Sequence, residues 1–93
     1  MNDKIFIIAG SHQEFDNWRR FNHNPVDKRY QNIIYVDSPD SILGIREPHG
    51  RFIGTWYRRR DIGDIIHRLR VAGSIDQKQV EKIMYEYDRL LFI

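Results

Sequence analysis

The chain has 93 residues, 41% hydrophobic and 30% charged, with a net charge of +2 and no cysteine. Those values fit one α/β domain over 1–93 with a modest core; they exclude a disordered chain, a disulfide framework and thiolate metal sites, and they make a reducing cytosol the natural setting. No apolar run reaches the roughly 20 residues that span a bilayer, so no membrane role is expected.

In chain order, KIFIIA (4–9) is a continuous apolar run closed by Gly10, the pattern of a strand buried on both faces. MNDKIFIIAG therefore reads as a strand and turn, not as a signal peptide. Ser11 caps a helix over 12–21 that buries Phe15, Trp18 and Phe21. NHNPVDKRYQ (22–31) is polar, holds Pro25 and reads as a loop. NIIYV (32–36) is the second strand. Asp37-Ser38-Pro39 then offers a cap followed by proline at the first helical position, predicting a short helix over 39–45. EPHG (47–50) ends it, and residues 51–57 form the third strand around Phe52 and Ile53. Asp61 caps a helix with Ile62, Ile65, Ile66 and Leu69 on one face, ended by Ala72-Gly73. Ser74 with Gln77 makes a capping box for a last amphipathic helix over 75–91, striped by Val80, Ile83, Met84, Tyr87, Leu90 and Leu91.

Strands alternating with helices imply parallel pairing and right-handed crossovers. The expected fold is a small three-stranded parallel sheet of order 2-1-3, half of a flavodoxin-like or Rossmann-like sheet, with flanking helices. Such sheets bind ligands beyond the carboxyl ends of their strands, where the winding reverses. Three loops converge there: Ala9-Gly10-Ser11-His12, Asp37-Ser38-Pro39, and WYRRR (56–60). Each leads toward a helix N-terminus, which favours an anion.

The arginines strengthen that reading. Residues 46–73 hold seven of them against three acids, while the flanking segments are near balance. A guanidinium fork suits carboxylates, phosphates and stacked partners. Arg58, Arg59 and Arg60 repel one another, so either Asp61 and Asp64 compensate them or an anionic partner does. Of Trp56 and Tyr57, one belongs in the core and the other is free to stack on a base. Gly10 has two readings, a tight strand-to-helix turn and a close approach to phosphate; it lies in neither a dinucleotide fingerprint nor a phosphate loop. His12 is placed to contact a bound anion or move a proton, whereas His67 reads as structural. Glu14 and Asp37 lie within reach of the cleft. The four histidines have no metal spacing, and no nucleophile or carboxylate pair stands out, so no catalytic residue, metal or cofactor is assigned.

At SPDSILGIR (38–46) and RFIGTWYRR (51–59) the chain resembles a group of small bacteriophage-encoded proteins that share an IIAGS-like first strand and turn, an SPDxLxGxR-like element and a GTW strand end. The resemblance covers most of residues 4–70. Gly44 and Arg46 match, and Ile42-Leu43 stands around the leucine position. It implies a viral origin, a host cytoplasm and the antagonism of host defence or host enzymes, and it carries over no catalytic residue.

The leading expectation is a binding protein that sequesters an anionic, nucleotide-like ligand through Gly10, Ser11, His12, Ser38, Trp56, Tyr57, Arg58, Arg59 and Arg60. The alternative is an inhibitor that docks its arginine–aromatic patch on a host protein. Nucleic-acid binding is disfavoured by the low net charge, and a small nucleotide hydrolase or glycosidase stands last. The long apolar stripe of the final helix exceeds what so small a sheet covers, which predicts a homo-oligomer.

Overall fold

The structure, a computed structural model, describes residues 4–21 and 32–92. The predicted loop over 22–31 and the side chain of Phe21 lie outside the described residues. The elements are β1 (Lys4–Ile8), α1 (His12–Phe21), β2 (Asn32–Tyr35), a 3₁₀ turn (Pro39–Ile42), β3 (His49–Phe52), a second 3₁₀ turn (Trp56–Arg58), α2 (Ile62–Val71) and α3 (Gln77–Leu91). The sheet has the order β2-β1-β3, and both pairings are parallel. It is a mixed α/β structure with a three-stranded parallel sheet and helices on both faces.

β1 is central, and its unbroken apolar run serves both faces. Ile5 and Ile7 meet Phe15 of α1, with Trp18, Ile33 and Tyr35 beside them. Phe6 and Ile8 face the other way, toward Ile42, Trp56 and the α2 stripe of Ile62, Ile65, Ile66 and Leu69, all buried. Each such fully buried side chain contributes about 1.5–3 kcal/mol of transfer free energy. α2 ends as its glycine requires. Gly73 takes φ +81°, and the Gly73 and Ser74 N–H groups donate to the carbonyls of Arg70 and Leu69, 3.1 and 2.9 Å away.

Several boundaries differ from the sequence reading, each for a local reason. The third strand spans 49–52 instead of 51–57, because Gly54 adopts φ +56° and turns the chain out of the sheet. Trp56 and Tyr57 therefore lie in a 3₁₀ turn and do not alternate across a strand. The helix expected over 39–45 is one 3₁₀ turn, since Gly44 at φ +78° closely succeeds it. α3 starts at Gln77 and not at 75. The capping box that forms is Asp76 with Gln79: the Gln79 N–H donates to Asp76 Oδ1, the Asp76 N–H donates to Gln79 Oε1, and both bonds are 2.9 Å. Asp61 precedes α2 but makes no side-chain cap. Its carboxylate is taken by Arg59 instead.

α3 differs from the other helices in that none of its residues is fully buried. Val80, Ile83, Tyr87 and Leu90 lie half-buried against the core, and the opposite side of the helix is exposed.

Candidate functional site

At the carboxyl ends of the strands, the chain's own side chains fill the space where the winding reverses between β1 and β3. The Glu14 carboxylate, one turn into α1, accepts hydrogen bonds from the Gly10 N–H at 2.9 Å, the Thr55 N–H at 2.9 Å and the Thr55 hydroxyl at 2.8 Å. These are the donors that an incoming anion would use. Burial pushes the Glu14 carboxyl up. The bonds from Thr55 and Gly10 and the nearby charge of Arg58 outweigh it and hold the group below the ordinary carboxylate range. Gly10 is glycine for a packing reason: a Cβ there would meet the Thr55 hydroxyl and lie 2.8 Å from the Thr55 carbonyl oxygen.

Arg59 fills the other half of the cleft. Its side chain is 6% exposed and forms a fork-to-fork pair with Asp61, Nε to Oδ1 and Nη2 to Oδ2, both 2.9 Å. Nη1 donates to the Ala9 carbonyl at 3.2 Å and to the Val36 carbonyl, and Nη2 donates to the Asp37 carbonyl at 2.9 Å. The guanidinium also lies 5.7 Å from the centre of the Tyr35 ring. The strand-end carbonyls need donors once the sheet ladder stops, and Arg59 supplies them.

The nine residues singled out from the sequence thus separate into two groups. Gly10, Ser11, His12, Ser38 and Arg59 belong to the strand-end layer. The Ser11 hydroxyl accepts from the Glu14 N–H at 3.2 Å, and the Ser38 N–H donates to the Ser41 hydroxyl at 3.3 Å. His12 is exposed, sits 3.0 Å from Asp16 and meets the Tyr35 ring edge-on. Trp56, Tyr57 and Arg58 form the second 3₁₀ turn, and Arg60 lies just beyond it. Trp56 is 7% exposed and packs against Phe52, Tyr57 and Tyr87, which makes it the core member of the aromatic pair. Tyr57 is half-buried, with the Arg58 guanidinium 5.9 Å from its ring centre. Arg58 and Arg60 are exposed.

Tyr57 and all three arginines, Arg58, Arg59 and Arg60, line a groove of about 520 Å³ between this turn, the start of α2 and α3, and of the three only Arg58 and Arg60 are exposed. Its floor is apolar, with Ile62, Ile66, Met84, Tyr87 and Leu91. The sequence reading placed Met84, Tyr87 and Leu91 on one apolar stripe that exceeds what the sheet covers, but it did not set α3 beside the arginine run. The exposure of Met84 and Leu91 was legible only in that the stripe is wider than a single packing face. Thr55 was also missed, and a lone threonine before two aromatics gives no signal.

Among the described residues, no group of three or more histidines, aspartates and glutamates is placed to hold a metal ion, and no helix is long and apolar enough to cross a membrane. No family model matches the chain, and the comparisons with curated proteins and with solved structures found no match.

Proposed function

We propose that the protein is an interaction module whose arginine–aromatic groove takes an acidic, partly apolar segment of a protein, and that it acts by binding alone. The observation that carries this reading is the division of the arginines. Glu14 is occupied by Gly10 and Thr55 and Arg59 by Asp61 and the strand-end carbonyls, while Arg58 and Arg60 stand exposed beside an apolar floor. An open groove with aliphatic and tyrosine walls and a cationic rim is the complement of an amphipathic acidic helix. Arginine and tyrosine are also the residues that dominate interface energetics. In the setting implied by the phage resemblance, the partner is a host protein in the host cytoplasm and the outcome is its inhibition.

A nucleotide-like anion is the second reading. It is favoured by Tyr57 beside Arg58 and by a groove volume within the roughly 300–1,000 Å³ typical of small-ligand sites. On this reading the fold is a half-flavodoxin, Rossmann-like sheet that has moved its anion site outward from the strand ends, with Tyr57 in place of Trp56 as the stacking ring.

Fluorescence anisotropy separates the two. The probes are a labelled helical peptide with a leucine face and a glutamate face, and a labelled adenosine triphosphate. The expected result is saturable peptide binding that weakens at least tenfold in the Arg58→Glu/Arg60→Glu variant and with added salt. Peptide binding that ignores the charge reversal refutes the proposal. Triphosphate binding lost in the same variant, with no peptide binding, establishes the second reading.

A further inference from the structure

All the described arginines are exposed except Arg59 and Arg68. Arg59 is matched by Asp61 and by strand-end carbonyls. Arg68, half-buried in the last turn of α2, has no such match. Its guanidinium makes no hydrogen bond or ion pair among the described residues, not even with Asp64, the acid one turn before it on the helix. The late carbonyls of α2 do not claim it either. The Ala72, Gly73 and Ser74 N–H groups donate to the carbonyls of Arg68, Arg70 and Leu69, and the Glu47 N–H donates to that of Ala72 at 2.8 Å. A guanidinium drawn partly out of water without a counter-charge is costly unless a partner meets it.

Arg68 lines a depression of about 450 Å³ between the end of α2 and the loop before β3, at the opposite end of α2 from the groove. Arg46 lines it too, exposed and likewise unpaired among the described residues. Leu43, Ile45 and Val71 supply apolar lining, and Leu43 and Val71 are 57% and 71% exposed. The loop is held in shape: Glu47 is the one described residue other than glycine in the left-handed region, at φ +50°, and its bond to Ala72 ties that strained conformation to the helix. Glu47 is also the only acid of the lining, and Asp40 and Asp64 line a neighbouring depression on the other side of Arg68. The two guanidiniums are free to make charge-assisted bonds to one carboxylate, while the three acids around them leave a second negative charge uncompensated.

We propose that this depression binds a small apolar monocarboxylate, its charged group held by Arg46 and Arg68 and its hydrocarbon against Leu43, Ile45 and Val71. The planar fork of arginine matches a carboxylate. A free acid carries this chemistry, and so does the carboxyl terminus of a peptide ending in an aliphatic residue. The site is separate from the arginine–aromatic groove and independent of what that groove binds.

The test is a proton–nitrogen NMR titration of the full chain with octanoate, octanol, an acetylated alanyl-leucine with a free carboxyl terminus, and the same peptide amidated. Octanoate is expected to shift the amides of residues 42–47 and 68–73, saturating with a midpoint at or below about 1 mM. Octanol and the amidated peptide bind at least tenfold more weakly, and the tighter of octanoate and the free peptide names the source of the carboxylate. Arg68→Gln weakens binding about tenfold or more. Glu47→Gln tightens it, a change of opposite sign that loss of folding does not produce. The Arg58→Glu/Arg60→Glu variant binds octanoate like the parent, so failure of the groove reading leaves this site intact. Thermal melts by circular dichroism verify that each variant is folded. Should Arg68→Gln fail to fold, the octanoate–octanol comparison and Glu47→Gln decide the matter. The proposal is overturned by the absence of saturable shifts with both carboxylates, by octanol binding as tightly as octanoate, by shifts centred on the groove, or by a folded Arg68→Gln variant that binds like the parent.

Discussion

Arg59→Ala gives the sharpest separation between an arginine that builds the fold and arginines that are free to meet a partner. The substitution deletes the bidentate pair with Asp61 and the three bonds to the carbonyls of Ala9, Val36 and Asp37. Asp61 is 30% exposed at its side chain and rehydrates, so its loss contributes little. Ala9 and Val36 are both 0% exposed, and their carbonyls lose a charged donor with little access to water. At about 1–3 kcal/mol for each of the two buried carbonyls left unsatisfied, the expected loss is about 2–6 kcal/mol. In a domain of this size 1 kcal/mol moves the melting midpoint by about 4–8 °C, so the shift is at least about 8 °C. Arg58→Ala and Arg60→Ala stay within about 0.5 kcal/mol of the parent, as exposed substitutions do. Arg59→Lys falls between, because an ammonium keeps the charge for Asp61 but has no fork to reach three carbonyls. Urea unfolding monitored by tryptophan fluorescence, with thermal melts by circular dichroism, measures all four variants. A melt of Arg59→Ala within about 2 °C of the parent, or three arginine variants that are indistinguishable, refutes the assignment of Arg59 to the framework.

Three further outcomes are expected. Glu14 is held below its ordinary value of 4.5, so its ionised form stabilises the fold above that pH, and this contribution disappears as pH falls through the lower folded value. Glu14→Gln should remove it, and stability–pH curves of parent and variant that run parallel below pH 4.5 contradict the capping role. Trp56→Ala removes a core ring packed on Phe52 and Tyr87 and should cost about 3–5 kcal/mol in chemical unfolding, against well under about 1.5 kcal/mol for Tyr57→Phe; a near-neutral Trp56→Ala would place the indole outside the core. Gly10→Ala drives a methyl against the Thr55 backbone and the Glu14 carboxylate, and a thermal melt should show a loss of about 1–3 kcal/mol, whereas Gly63→Ala, whose Cβ meets nothing within 4 Å, should be neutral or stabilising.

The order of elements, the parallel sheet and the central place of β1 are set by the sequence alone. They depend on local periodicity: an unbroken apolar run needs cover on two faces, the Ile62–Ile65–Ile66–Leu69 spacing can bury only as a helix, and two right-handed crossovers leave the strand order 2-1-3. The turn at Gly73 and the start of α1 are equally local. The site was legible only as a neighbourhood. Sequence brought Gly10, Glu14, Trp56 and the arginine run to one end of the sheet, but not their partners. Glu14 reaches Thr55 across 41 positions, and Arg59 reaches Ala9 across 50 and Val36 across 23. Nothing in RRR distinguishes its middle member, because three adjacent arginines have the same propensity and charge. Tertiary structure chose between them: Gly54 ends β3 early and the subsequent 3₁₀ turn rotates successive side chains by about a third of a turn each. Arg59 then points at two strand-end carbonyls that lack donors, and its neighbours on either side are left in water.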